Sequence, residues 1–203
     1  MRIYSYIHDA PYEQLERWWR GTDSLPRDFD DKWDIDEVAY GLTKNDPEGS
    51  DLLRCSLYSD SIRHRRAALC CLSGPSRDSA ELRKAIDDAF ATGDQDLVTT
   101  AFHCYWRLSY FPLDEGAVDS ILARSEERLA ACAMLYQSRA EPSRAVEILR
   151  TALTSPNPRC REYACDEIGD RGLKELRDLM MPLLQDGHQD VAASARANLE
   201  MFE

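Results

Sequence analysis

The chain has 203 residues, 43% of them hydrophobic, with 25 Lys and Arg against 37 Asp and Glu for a formal charge of −12. That balance opposes binding to phosphate backbones or anionic lipid, both of which need clustered positive charge, and it suits a basic or neutral protein partner. The opening segment has no apolar run behind a basic stretch, and no window approaches 18 consecutive apolar residues, so a cytoplasmic protein without a membrane span is expected.

Residues 1–50 read as an irregular helical cap. Pro11 to Trp19 and Ile35 to Leu42 each offer an apolar face, and Gly21 to Lys32 reads as the loop between them. Asp28, Asp30, Asp31, Asp34, Asp36 and Glu37 form the densest acidic run. A calcium loop of the EF-hand type begun at Asp28 would put Lys32 where an oxygen ligand is needed and Trp33 where Gly is needed. The run is therefore expected to be a solvated loop whose last members stabilise the N-terminus of the following helix.

From residue 51 onward a helix pair recurs, over units of about 51–72, 78–108, 114–139, 142–170 and 173–202. In the second helix of each pair an alanine returns at Ala68, Ala101, Ala133, Ala164 and Ala195, with steps of 33, 32, 31 and 31 residues. Four residues before it stand His64, Leu97, Leu129, Cys160 and Val191, and four after it Leu72, Tyr105, Gln137, Ile168 and Leu199, so the column lies on one helix face. The first helices carry their own stripe, clearest at Leu176, Leu179, Met180, Leu183 and Leu184, repeated 31 residues earlier at Ala145, Ile148, Leu149, Ala152 and Leu153. Gly74-Pro75, Phe111-Pro112, Glu141-Pro142 and Gly172 separate the units, and Pro142 and Pro158 fall where a helix would begin. A period of this length marks a solenoid, in which each unit buries its apolar face on its neighbours.

Candidate chemistry is sparse. The seven cysteines, Cys55, Cys70, Cys71, Cys104, Cys132, Cys160 and Cys165, are odd in number and sit within helical patterns, which points to a reducing compartment and buried thiols. No Cys-x-x-Cys or His-x-x-x-His pair occurs, so neither metal nor other cofactor is expected. Arg63-His64-Arg65-Arg66 opens the second helix of the first unit, where positive charge is unfavourable, and is expected to pair with the acidic cap. His103 and Cys104 point about 100° apart on a helix and cannot act as base and nucleophile on one another. Glu162 and Asp166 do share a face, but an exposed helix offers no pocket to separate their pKa values, so no catalysis is expected there.

Met181-Pro182-Leu183-Leu184-Gln185-Asp186, followed by Gln189-Asp190-Val191 and Ala195, resembles the HEAT repeat. The unit from Ala145 to Gly169 is similar, with Asn157-Pro158-Arg159-Cys160-Arg161 in its turn and Ala164 beyond. The resemblance covers about residues 51–202. It implies an all-α, armadillo-like, right-handed α-α superhelix of about five helix pairs. The family's Arg after the Val position, which builds a ladder between repeats, is kept only as Arg65 and Arg161, with Val98, Ala130 and Ala192 elsewhere.

In such arrays the second helix of each pair lines the concave face. The resemblance thus implies a surface formed by Arg66, Thr99, Ala131, Glu162 and Ala193, then Cys70, His103, Leu135, Asp166 and Ala197, with Trp106 beside them. Aromatic and Arg residues are the usual interface anchors, and the expected function is a non-catalytic scaffold or adaptor that holds a protein or peptide segment. The alternatives are a HEAT-like enzyme of the bilin lyase or DNA glycosylase kind, the latter opposed by the acidic charge, and an acidic inhibitor or immunity-type protein acting through Asp23 to Glu37. Met201, Phe202 and Glu203 close the last helix with no cap unit, so self-association through that edge is a further expectation.

Overall fold

The computed structural model describes residues 5–25, 34–123 and 126–202. All regular structure among them is helical, with no strand. Of the acidic run, Asp28, Asp30 and Asp31 lie outside the described residues, as does most of the expected loop from Gly21 to Lys32. The chain forms two compact units, Met1–Ser109 and Tyr110–Glu203, so the division falls between the second and third of the expected helix pairs.

The first unit contains α1 (Ser5–His8), α2 (Tyr12–Trp19), α3 (Asp34–Leu42), α4 (Glu48–Cys55), α5 (Ile62–Leu72), α6 (Ala80–Ala91) and α7 (Gln95–Leu108). Helix starts follow capping chemistry. The Ser79 hydroxyl accepts the Leu82 N–H at the head of α6, and the Asp94 carboxylate accepts those of Asp96 and Leu97 at the head of α7. Asp34, Asp36 and Glu37 fill the first turn of α3, where the helix dipole favours negative charge. Helix α5 packs on α3, α4 and α7, and α6 folds back on α7. Ile7, Leu15, Leu42, Leu53, Leu69 and Ile86 are fully buried between these layers.

The segment expected to be an irregular cap is more regular than its sequence suggested. Helices α2 and α3 form a pair, and α3 packs on α5 as α5 packs on α7. Ala39 of α3 is fully buried and precedes Ala68 by 29 residues, which extends the alanine column one step toward the N-terminus. The shortened step hid it from a search at 31 to 33 residues.

The second unit contains α8 (Glu115–Leu122), α9 (Glu127–Ala140), α10 (Ala145–Leu153), α11 (Pro158–Asp170), α12 (Arg177–Met180) and α13 (Gln189–Glu200). Pro158 occupies the first helical turn of α11 behind an Asn157 cap, as its missing N–H allows. Pro142 does not start a helix: it lies in a turn closed by the Arg144 N–H on the Glu141 carbonyl at 2.9 Å, and α10 begins at Ala145. The first helix of the last pair is also broken. Short 3-10 turns at Lys174–Leu176 and Met181–Gln185 flank α12, and at the second of them Pro182 has no N–H with which to continue the α-helical ladder. Leu176 and Met180 remain buried, whereas Leu179 is turned out at 43% exposure, a departure from the expected stripe.

Ala68, Ala101, Ala133, Ala164 and Ala195 are all at 0% exposure. In the second unit α11 lies between α9 and α13, and Ala164 is the small residue at its centre. Extra methylenes at such a contact force backbone shifts, so Ala133→Leu and Ala164→Leu should each cost about 1 to 3 kcal/mol, read as lower denaturant midpoints at unchanged m-value. Unchanged midpoints in both would place these alanines away from any close contact.

Candidate functional site

In the first unit the basic cluster is engaged by the acidic N-terminal segment. Arg63 pairs with Asp34 and Arg66 with Asp36. His64 places Nε2 2.9 Å from the Trp19 carbonyl and Nδ1 2.8 Å from the Ser61 hydroxyl. Burial pushes the Asp36 carboxyl above its ordinary range, and Arg66 pulls it partly back. Arg66 is thus a helix-to-helix link.

Of the other expected site residues on α7, Thr99 is buried and its hydroxyl donates to the Gln95 carbonyl at 2.8 Å, which corrects the expectation of an exposed position. His103 and Trp106 are half-exposed and lie edge to face, with ring centroids 4.7 Å apart.

In the second unit Ala131 and Leu135 are also buried, against expectation. The cause is direction: these positions on α9 face α11, where Ala131 meets Cys160 and Tyr163. The corresponding positions on α11 face α13. Asp166 accepts from the Ser194 hydroxyl at 2.5 Å and the Asn198 amide at 2.9 Å. Glu162 accepts from Arg159 at 2.5 Å, and Arg159 also reaches Asp190 at 3.1 Å. Ala193 and Ala197, on α13, are exposed. The approach of α11 to α13 requires Gly169, because a Cβ there would sit 1.9 Å from the Asn198 side-chain oxygen. Of the two carboxylates singled out by spacing, Asp166 therefore links α11 to α13 directly, and Glu162 holds Arg159, which reaches Asp190 of α13.

Three arginines close the ends of neighbouring helices. Arg107 donates to the Cys70 carbonyl at 2.7 Å, Arg171 to the Ser138 carbonyl at 3.3 Å, and Arg77 to the Thr43 carbonyl at 3.2 Å. Each carbonyl belongs to the last turn of a helix or the residue just past it, where no intrahelical donor remains. This chain thus has an inter-helix arginine series at the C-terminal ends, in addition to the turn contact of Arg161. Arg161 binds both Asp186 oxygens, at 2.8 and 2.9 Å, and donates to the Ser155 carbonyl at 2.8 Å. These Arg161 bonds hold the Asp186 carboxyl below its ordinary value, helped by the His188 N–H.

Sequence reasoning missed Glu167. It is 2% exposed on α11 and is gripped by Arg139 of α9 through three short contacts of 2.5 to 3.1 Å, with Arg171 at 3.6 Å. An ionisable residue wedged between Ala164 and Ile168 on the buried face was the available signal.

A cleft of about 480 Å³ in the first unit is lined by His8, Glu37, Tyr40, Cys70, Cys71 and Arg107, among others. Its charges are answered internally, since Glu37 contacts His8 and Asp36 pairs with Arg66. Burial pushes the Cys71 thiol up to about 12, and does the same to Cys132 and Cys165, so none of the three is a thiolate at neutral pH. Cys55, by contrast, is exposed, which corrects the reading of all seven as buried.

No family model matches the chain. No curated protein matches it either. Among solved structures it is similar to the crystal structure of an engineered protein, a target of the Northeast Structural Genomics Consortium, at 15% identity and a TM-score of 0.46, over 93% of this chain and 96% of that one. A likeness at that level assigns neither fold family nor function.

The Glu167 cluster leads to a stability expectation. Arg139→Ala should cost about 3 kcal/mol, at the low end for breaking a buried pair because Arg171 remains, and adding Glu167→Gln should recover part of that loss. Strict additivity of the two changes in denaturant unfolding would show that they do not interact. Asp186 gives a pH expectation with a definite sign. A carboxyl depressed in the folded state stabilises fully above its unfolded value and loses that contribution as the pH falls through the folded one. The stability advantage of the wild type over Asp186→Asn should therefore shrink below about pH 4, measured by thermal melts across an acid series.

Proposed function

We propose that this chain is a HEAT-like α-solenoid module, a right-handed superhelix of helix pairs that holds a protein or peptide segment and turns over no substrate. The stacking of α3, α5 and α7 in one unit and of α9, α11 and α13 in the other, each through a buried alanine, supports the architecture. So does the Arg161–Asp186 link between successive turns. The non-catalytic reading is supported by thiols held protonated and by carboxylates at Glu162 and Asp166 committed to packing.

The observation that carries the binding role is the His103–Trp106 pair, two partly exposed rings in edge-to-face contact on α7. A tryptophan with an ordered aromatic neighbour is the type of residue that anchors interfaces. The acidic charge favours a basic or neutral partner and disfavours nucleic acid and anionic membrane. Among the described residues no helix is long and apolar enough to cross a membrane.

The test is affinity capture from native lysate on the full chain and on Trp106→Ala, with the captured proteins identified and their affinities then measured. Trp106→Ala should weaken the partner by about 2 kcal/mol or more while leaving the melting temperature nearly unchanged. Capture indifferent to Trp106→Ala and His103→Ala alike would remove this face as the site.

A further inference from the structure

The second unit holds two adjoining clefts that the His103–Trp106 surface does not include. The larger, about 440 Å³, lies among α8, α9, α10 and the start of α11. Its floor is apolar, built from Leu122, Met134, Ile148, Ala152 and Cys160, and exposed Glu147 and Thr151 stand at its rim. The volume lies within the roughly 300 to 1,000 Å³ of ligand sites, and an apolar floor with few polar groups is their usual chemistry.

The smaller, about 250 Å³, is lined by Phe111, Val118, Tyr136, Glu115 and Glu141. Phe111 lies edge to face with Tyr136 at 5.3 Å, and the Tyr136 hydroxyl accepts the Leu113 N–H at 2.8 Å, so the aromatic wall is fixed. Gln137 lines both clefts. Arg144 stands at their boundary, 2.7 Å from Glu141 and 3.9 Å from Glu115. Across the pair, Glu115, Glu141 and Glu147 are set against one arginine, so an apolar slot is joined to an acidic, aromatic-walled one.

We propose that these clefts together take an extended peptide segment that carries a large apolar side chain and, within a few residues, a lysine or arginine. The apolar side chain fills the larger cleft. The basic one lays its stem along Phe111 and brings its charge to Glu115 and Glu141, as long cationic side chains do on apolar surfaces beside carboxylates. Charge complementarity selects this occupant over an acidic or purely apolar one. The inference rests on the reading of the chain as a peptide-binding module, but it uses a different surface and fails separately from it.

The test pans a random library of peptides about twelve residues long on the full chain and measures an enriched peptide by calorimetry. Enriched sequences should pair Leu, Ile, Met or Phe with a nearby Lys or Arg. Thr151→Trp, which fills the larger cleft from its exposed rim, and Glu115→Arg, which reverses charge in the smaller, should each weaken binding at least about tenfold, and added salt should weaken it further. Both positions are exposed, and unchanged thermal midpoints would show that the fold persists. Trp106→Ala should leave this binding intact. Enrichment of acidic sequences, absence of any binder, or binding indifferent to both variants would overturn the proposal. Loss of binding in Trp106→Ala alone would overturn it too while favouring the His103–Trp106 face.

Discussion

Close approach of helices is the constraint on which the other contacts depend. Ala39, Ala68 and Ala101 in one unit, and Ala133, Ala164 and Ala195 in the other, are all fully buried. A small side chain at each lets one backbone come near enough for its neighbour's polar groups to be reached. Without that proximity Asn198 could not lie against Gly169, and the short reach from Arg139 to Glu167 would be lost. A larger residue in the column would hold the layers apart and leave both the apolar faces and these polar links incomplete.

The polar links set register more than they add stability. A leucine stripe slides over another at little cost, whereas the two-pronged grip of Arg161 on Asp186 and of Arg139 on Glu167 permits one alignment. The arginines at the helix ends act similarly: Arg107 and Arg171 reach carbonyls in the last turn of a neighbouring helix, where the helical ladder of N–H donors has ended. Arginine is suited to this because its planar fork reaches a carbonyl while the stem packs along the helix. Much of the chain's positive charge is thereby used internally. The excess of acid stays on the surface, where it biases the choice of partner.

This economy explains why the face inferred from helix spacing is less open than expected. On α9 and α11 the positions two and six residues beyond the start of the alanine column lie toward the next helix of the same unit, so Ala131 and Leu135 are covered and Asp166 is hydrogen-bonded, while Thr99 is buried within the first unit. His103 and Trp106 on α7, and Ala193 and Ala197 on α13, keep some exposure. The clefts of the second unit arise differently. Helices α8 and α10 are short, and the turn with Ser155 and Pro156 leaves space that α9 and α11 do not fill.

Local periodicity by itself determined the helical class, the existence of helix pairs, the buried alanine column and the pairing of Arg63–Arg66 with the acidic segment. Those features follow from side-chain spacing on a helix and from charge, both of which are written in consecutive residues. The break of the last pair at Pro182 was equally open to reading, since a missing N–H is a local fact. The burial of Thr99 and Leu135, the commitment of Glu162 and Asp166 to packing, the burial of Glu167 under Arg139, and the paired clefts around Gln137 and Arg144 were decided only by tertiary structure. Each depends on which helix lies opposite and how close it comes, and a repeat gives the spacing of its elements without giving the facing or the closeness of their side chains.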